Sequence, residues 1–165
     1  MKSRIDFLRV SPRALQAMLG VQNYVNASGL EHSLLRLVEM RASQINGCAY
    51  CIDMHSKDAR ADGETEQRLY ALDAWRETPF YSDRERAALE WTESLTLVRE
   101  GHVPDRVFEA ARAHFSEAEL VDLSLAVVAI NSWNRLMIGF RGEAGTYQPK
   151  VVQAAQARAA AAAPH

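Results

Sequence analysis

The stretch Arg41-Ala42-Ser43-Gln44-Ile45-Asn46-Gly47-Cys48-Ala49-Tyr50-Cys51-Ile52-Asp53-Met54-His55-Ser56-Lys57-Asp58-Ala59-Arg60 decides the reading of this chain. Asn46-Gly47 breaks an apolar helical pattern, because both residues tolerate the left-handed conformation common just past a helix end. A new helix is expected to begin at or near Cys48 and to run to about Ala61, where Asp62-Gly63 closes it. At 100° per residue, Cys51 lies about 300° and His55 about 340° round from Cys48, so the three share an arc of roughly 60°. His55 follows Cys51 by four residues, which makes them neighbours on the helix surface. A thiol at a helix N-terminus meets partial positive charge and free N–H groups, which lower its pKa. The histidine can take the thiol proton or stabilise the thiolate. The second cysteine can resolve an oxidised first one into a disulfide. Cys48 gains more from the helix end and Cys51 more from His55, so Cys51 is expected to attack a peroxide and Cys48 to resolve.

Working outward, Leu34, Leu35, Val38, Ala42 and Ile45 recur at three- and four-residue steps and predict a helix over about 31–44. Upstream, Ser11-Pro12 opens a helix whose stripe is Leu15, Met18, Leu19, Val21 and Val25, and Ser28-Gly29 ends it. Downstream, residues 64–75 read as a short helix and Glu77-Thr78-Pro79-Phe80 as a loop. Ser82 with Glu85, and Ser116 with Glu119, have capping-box spacing. They open helices running to about Val98 and Ile138, separated by a turn at Gly101-His102-Val103-Pro104 and a short helix over 105–114. No period-two strand pattern and no internal repeat occurs. The expectation is an all-α domain of seven or eight helices over residues 1–150, followed by an Ala-rich tail, 151–165, that reads as helical.

A chain of 165 residues can bury roughly two thirds of its unfolded surface, so it needs no disulfide staple to fold. The formal net charge of −2, with no block of Lys and Arg, argues against nucleic acid as a partner. The opening Met1-Lys2-Ser3-Arg4-Ile5-Asp6 lacks the apolar run of a signal peptide. The longest apolar run, near Leu125–Ile130, falls well short of the ~20 residues that span a bilayer, so a cytoplasmic location is expected.

The two cysteines stand three residues apart, so a bridge between them would constrain the unfolded chain very little. In a reducing compartment such a pair is catalytic or metal-binding rather than structural. Zinc takes four ligands in structural sites, or three and an open position. Only one Cys/His cluster exists, and three ligands from one helix face are hard to arrange tetrahedrally, so no metal is expected. No G-x-G-x-x-G after a strand and no G-x-x-x-x-G-K-[ST] occurs, so no nucleotide cofactor is expected and electrons must come from outside. A small thiol, a thioredoxin-like protein or a lipoyl-bearing protein would supply them. Trp75, Trp91 and Trp133 read as core or interface residues, and Tyr50 as a residue that shapes access to the cysteines. Asn131, Asn134 and Arg135 interrupt an apolar helix and call for a hydrogen-bond network. His32, His102 and His114 read as surface groups. The long apolar helix also suits burial between subunits.

The stretch from Arg41 to Arg60 resembles the core of the AhpD-like alkylhydroperoxidase family, within the carboxymuconolactone decarboxylase superfamily. The likeness extends to Arg4-Ile5-Asp6-Phe7, Pro12 and Ser28-Gly29-Leu30. It continues through Ser82–Leu89, Glu93–Thr96 and Ile130–Arg135, and covers roughly residues 4–141. The resemblance implies an all-helical fold, homo-oligomers that are commonly trimers or hexamers, and peroxidase or disulfide-reductase activity through Cys48, Cys51 and His55. Lactone decarboxylases of the superfamily typically lack the C-x-x-C pair, which speaks against that chemistry. The family usually has a proton-relay glutamate twelve residues before the first cysteine, where this chain has Arg36. Glu39, one turn on, and Glu93, on the middle helix, are the candidate replacements. Arg36 could instead stabilise a thiolate.

The leading expectation is therefore a thiol-dependent peroxidase acting on organic hydroperoxides. The competing readings are a thiol-disulfide oxidoreductase that acts on a protein partner and a non-catalytic zinc-binding or scaffold oligomer.

Overall fold

The computed structural model describes residues 2–149, so the Ala-rich tail lies outside the described residues. Among the described residues the chain forms eight α-helices and no strand. They are α1 (Phe7–Val10), α2 (Pro12–Ala27), α3 (His32–Asn46), α4 (Ala49–Ala61), α5 (Glu66–Ala71), α6 (Asp83–Thr96), α7 (Asp105–Arg112) and α8 (Glu117–Phe140), with a 3-10 helix, Leu72–Glu77, after α5. The all-α expectation holds. Both capping boxes are present: Ser82 accepts from the Glu85 amide and Ser116 from the Glu119 amide, and each glutamate reaches back to its cap. Segment 64–75 is less regular than expected. Its α-helix stops at Ala71 and gives way to the 3-10 turn, which is kinked at Ala74.

α3 is the axis of the fold. It packs against α4, α6 and α8, so apolar side chains leave it in several directions. Leu34, Leu35 and Val38 enter one core cluster with Val25 of α2, Trp91 of α6 and Leu123 and Val127 of α8. Leu37 and Met40 enter a second cluster with Leu69, Leu72, Trp75 and Leu89. Leu37 and Val38 are fully buried, and each such side chain contributes roughly 1.5–3 kcal/mol through removal from water. A helix enclosed this way also carries its polar residues inward. Glu39 and Ser43 are buried with it.

α8 carries a 24-residue span that is long and apolar enough, by length and composition alone, to cross a membrane, which the apolar-run reading did not anticipate. In the fold its buried residues Leu120, Leu123, Ala126, Val127, Ala129, Ile130 and Asn134 pack into the bundle. The expected polar network is also there. Asn46 Nδ2 donates to Asn131 Oδ1 and Asn134 Oδ1, and Asn134 Nδ2 donates to Ser43 Oγ. This network ties α8 to the end of α3, where the motif begins.

Candidate active site

The turn from α3 into α4 is built by Gly47, whose φ of 66° lies in the left-handed region. The Gly47 amide donates to the Gln44 carbonyl and the Cys48 amide to the Ser43 carbonyl, a Schellman closure of α3. Cys48 is not on the helix that follows, which corrects the one-arc reading of the motif. It is the N-cap of α4, with extended backbone, and its Sγ accepts from the Cys51 amide at 3.3 Å. Cys51 and His55 do lie on α4 as expected. Cys48 and Cys51 are joined by a disulfide, with their Cα atoms 5.3 Å apart. Both are buried, at 1% and 2% exposure.

His55 is buried on α4, and its Nδ1 lies 3.3 Å from Glu39 Oε2 across the α3–α4 interface. The approach is not aligned as a hydrogen bond, and His55 Nε2 is buried without a hydrogen-bond partner in the protein. Glu39 has two more neighbours. Arg36 Nη1 donates to Oε2 at 3.2 Å, and Gln22 Nε2 of α2 donates to Oε1 at 3.3 Å. Burial pushes the Glu39 carboxyl up, but His55 and then Arg36 outweigh it, and the group sits below its ordinary value of 4.5. Arg36 itself bonds Asp62 Oδ2 at 2.8 Å and lies 3.9 Å from Asp58. Its charge is thus committed to three carboxylates rather than to a thiolate.

The orientation of Gln22 is set from outside. Trp133 Nε1 of α8 donates to Gln22 Oε1 at 3.1 Å, so the amide nitrogen must face Glu39 and Asn26. The resulting line runs Trp133–Gln22–Glu39–His55. Gln22 is the neighbour of Glu39 that the motif-based reading missed. A signal existed, because Gln22 and Asn26 continue the Leu15–Leu19 stripe of α2 at the same spacing.

Glu93, the other candidate carboxylate, lies elsewhere. It accepts from Arg41 Nε and Trp75 Nε1 at 2.8 Å each, and from Arg76 Nη1 at 2.5 Å. Burial pushes its carboxyl up, yet these three donors hold it below 4.5.

Cys51, His55 and Glu39 share the wall of a cavity of about 540 Å³. Leu15, Leu19, Leu35, Met54, Met137 and Trp133 form much of the remaining lining. Trp133 is therefore a cavity residue, whereas Trp75 and Trp91 are core. Tyr147 and Pro149 close one side. Their segment is stitched across α4: the Gly145 amide donates to Asp53 Oδ2, Lys57 Nζ to the Tyr147 carbonyl, and the Tyr147 hydroxyl to Asp58 Oδ1. Burial first, and then the Asp58 bond, raises the Tyr147 pKa. A second cavity, of about 580 Å³, touches Cys48 but not Cys51, and Tyr50 and Met137 line both cavities. Among the described residues no group of three or more His, Cys, Asp or Glu is arranged to hold a metal ion.

An all-helical bundle with a C-x-x-C disulfide at a helix start, backed by a His–Glu pair, defines an AhpD-like thiol protein. Residues 12–94 match the carboxymuconolactone decarboxylase family, and the chain belongs to that family. The uncharacterized protein YdfG of Bacillus subtilis is 42% identical over 146 residues, which cover 88% of this chain and 99% of YdfG. A solved structure from Agrobacterium tumefaciens, of unknown function and provisionally termed an AhpD antioxidant defence protein, is 46% identical. It superposes with a TM-score of 0.86 over 88% of this chain and 100% of its own. The debrominase Bmp8 shares the fold alone, with a TM-score of 0.71 at 19% identity over 82% of this chain and 73% of its own.

Proposed function

We propose that this chain is a thiol-dependent peroxidase that reduces organic hydroperoxides through Cys48 and Cys51. The observation that carries the reading is the grouping of Cys51, His55 and Glu39 on the wall of one largely apolar cavity. In the reduced protein the Cys51 thiolate attacks the outer peroxide oxygen. The O–O bond breaks, the alcohol leaves with a proton, and Cys51 becomes a sulfenic acid. His55 supplies that proton, and Nε2 is the ring atom free for it because Nδ1 faces Glu39. Cys48 then attacks the Cys51 sulfur, water leaves, and the disulfide closes. An external dithiol restores the thiols.

Arg36, Gln22 and the line behind them keep Glu39 ionised and fixed beside His55 Nδ1. Near-complete burial of both sulfurs supports a small oxidant over the disulfide of a folded protein partner. A cytoplasmic setting and a homo-oligomer, a trimer or hexamer, belong to the same proposal. The test is stopped-flow oxidation of the reduced protein by tert-butyl hydroperoxide. The expected rate exceeds that of free cysteine by at least a hundredfold and is lost in Cys51→Ser. A rate equal to that of free cysteine would sink the reading.

A further inference from the structure

The disulfide has two ends, and the two cavities divide them. The first touches Cys51 and not Cys48; the second touches Cys48 and not Cys51. Tyr50 and Met137 contribute to both linings. We infer that the second cavity admits the thiol reductant and that the reductant attacks Cys48 Sγ. This rests on the peroxidase cycle proposed above for the same cysteine pair.

The argument is stereochemical. Thiol–disulfide exchange proceeds by attack of a thiolate on one sulfur, and access decides which sulfur is attacked. The incoming sulfur, the attacked sulfur and the leaving sulfur lie in line. A nucleophile that displaces Cys51 must therefore reach Cys48 from the side away from Cys51. Of the two cavities, the second is the one whose wall includes Cys48, so the proposal assigns that approach to it.

The step balances as follows. The reductant thiolate forms a bond to Cys48 Sγ, the Cys48–Cys51 bond breaks, and Cys51 leaves as a thiolate beside His55. The second thiol of the reductant then attacks the reductant sulfur of the mixed disulfide. The Cys48 thiolate leaves, and the reductant departs as its own disulfide, oxidised by two electrons. Departure of Cys48 is helped by its N-cap position, since the Cys51 amide already points at Cys48 Sγ from 3.3 Å. Attack at Cys51 would instead place the reductant in the hydroperoxide cavity.

The second cavity also indicates what reaches in. Cys48 is 1% exposed, so a folded protein surface cannot press against it. Ala49, Tyr50, Met137 and Ile138 give the recess an apolar wall, while Lys2 and Arg141 face a single acid, Glu143, among its lining charges. The ligand class is a dithiol on a slender, largely apolar arm.

Two measurements test this. Oxidised protein is treated briefly with 2-mercaptoethanol, quenched in acid, alkylated and mapped by tandem mass spectrometry. The mercaptoethanol adduct is expected on Cys48 and the alkyl group on Cys51; the reverse pattern overturns the assignment. In Ala49→Trp, which narrows the second cavity, reduction by dithiothreitol should slow at least tenfold. Oxidation of the pre-reduced variant by tert-butyl hydroperoxide should stay within twofold. Unchanged reduction in a variant that retains its helical circular dichroism overturns the proposed entry. The adduct map does not depend on peroxide, so failure of the peroxidase reading leaves it intact and is seen separately in the oxidation rate.

Discussion

Glu39 and Glu93 are both carboxylates facing arginine on helices of the same bundle, yet the two regions do opposite things with their charge. Glu93 is met by three donors on three side chains, Arg41, Trp75 and Arg76. All of them are fixed in protonation near neutral pH, so the site joins α3, the 3-10 turn and α6 and has nothing to titrate against. Glu39 is met by Arg36 and Gln22, but its third neighbour is His55, which can gain and lose a proton. The lesson is that, in the proposed cycle, what sets Glu39 apart from Glu93 is a partner that can change its protonation. A depressed pKa is common to both, although Glu39 is buried and Glu93 only partly so.

The largest expected effect comes from removing the structural member. Glu93→Ala leaves Arg41 Nε and the Trp75 indole N–H without their acceptor, while Arg41 keeps Gln44 and Asp73, and should cost about 2 kcal/mol of stability by urea unfolding at pH 7. The per-molecule rate of the folded fraction should not change. The pH dependence follows from the direction of the shift. The folded pKa lies below the ordinary value of 4.5, so the ionised Glu93 stabilises the fold above that pH. That contribution is lost as pH falls through the folded value. The gap between wild type and Glu93→Ala should therefore narrow steadily below pH 4.5; a constant gap down to pH 3 would remove the ionic account.

Next in size, Glu39→Gln should lower the second-order rate of peroxide oxidation by about tenfold or more, with Glu93→Gln near wild type. Equal losses in the two variants would erase the contrast between the regions. The smallest expected effect is at Gln22. Gln22→Leu keeps the volume but frees Glu39 Oε1, and should slow oxidation a few-fold while shifting the acid limb of its pH–rate profile. A slower rate with an unmoved profile would make Gln22 a packing residue only.

Much of this was legible from local pattern. The α3 stripe, the Asn46-Gly47 stop, both capping boxes and the Cys51–His55 spacing depend on neighbours within one turn, which a sequence displays directly. Cys48 was misjudged because an N-cap and a first helical residue differ by one backbone dihedral pair, with no change of composition. The four-residue α1 and the kink at Ala74 are set by tertiary packing and carry no periodic signal. The choice between Glu39 and Glu93 required knowing that α4, not α6, lies over the Glu39 side of α3. The Trp133–Gln22 link joins residues 111 apart in sequence, and no window on a single helix contains it.

The segment after α8 has a kinetic consequence. Its ties to α4 include three hydrogen bonds, from Gly145, Lys57 and Tyr147. Those bonds can break and re-form while α3 and the two core clusters stay packed, so this side of the cavity can breathe at a small fraction of the cost of global unfolding. In the proposed cycle a bulky hydroperoxide would then be admitted, and its alcohol released, on the clock of a loop rather than that of the fold.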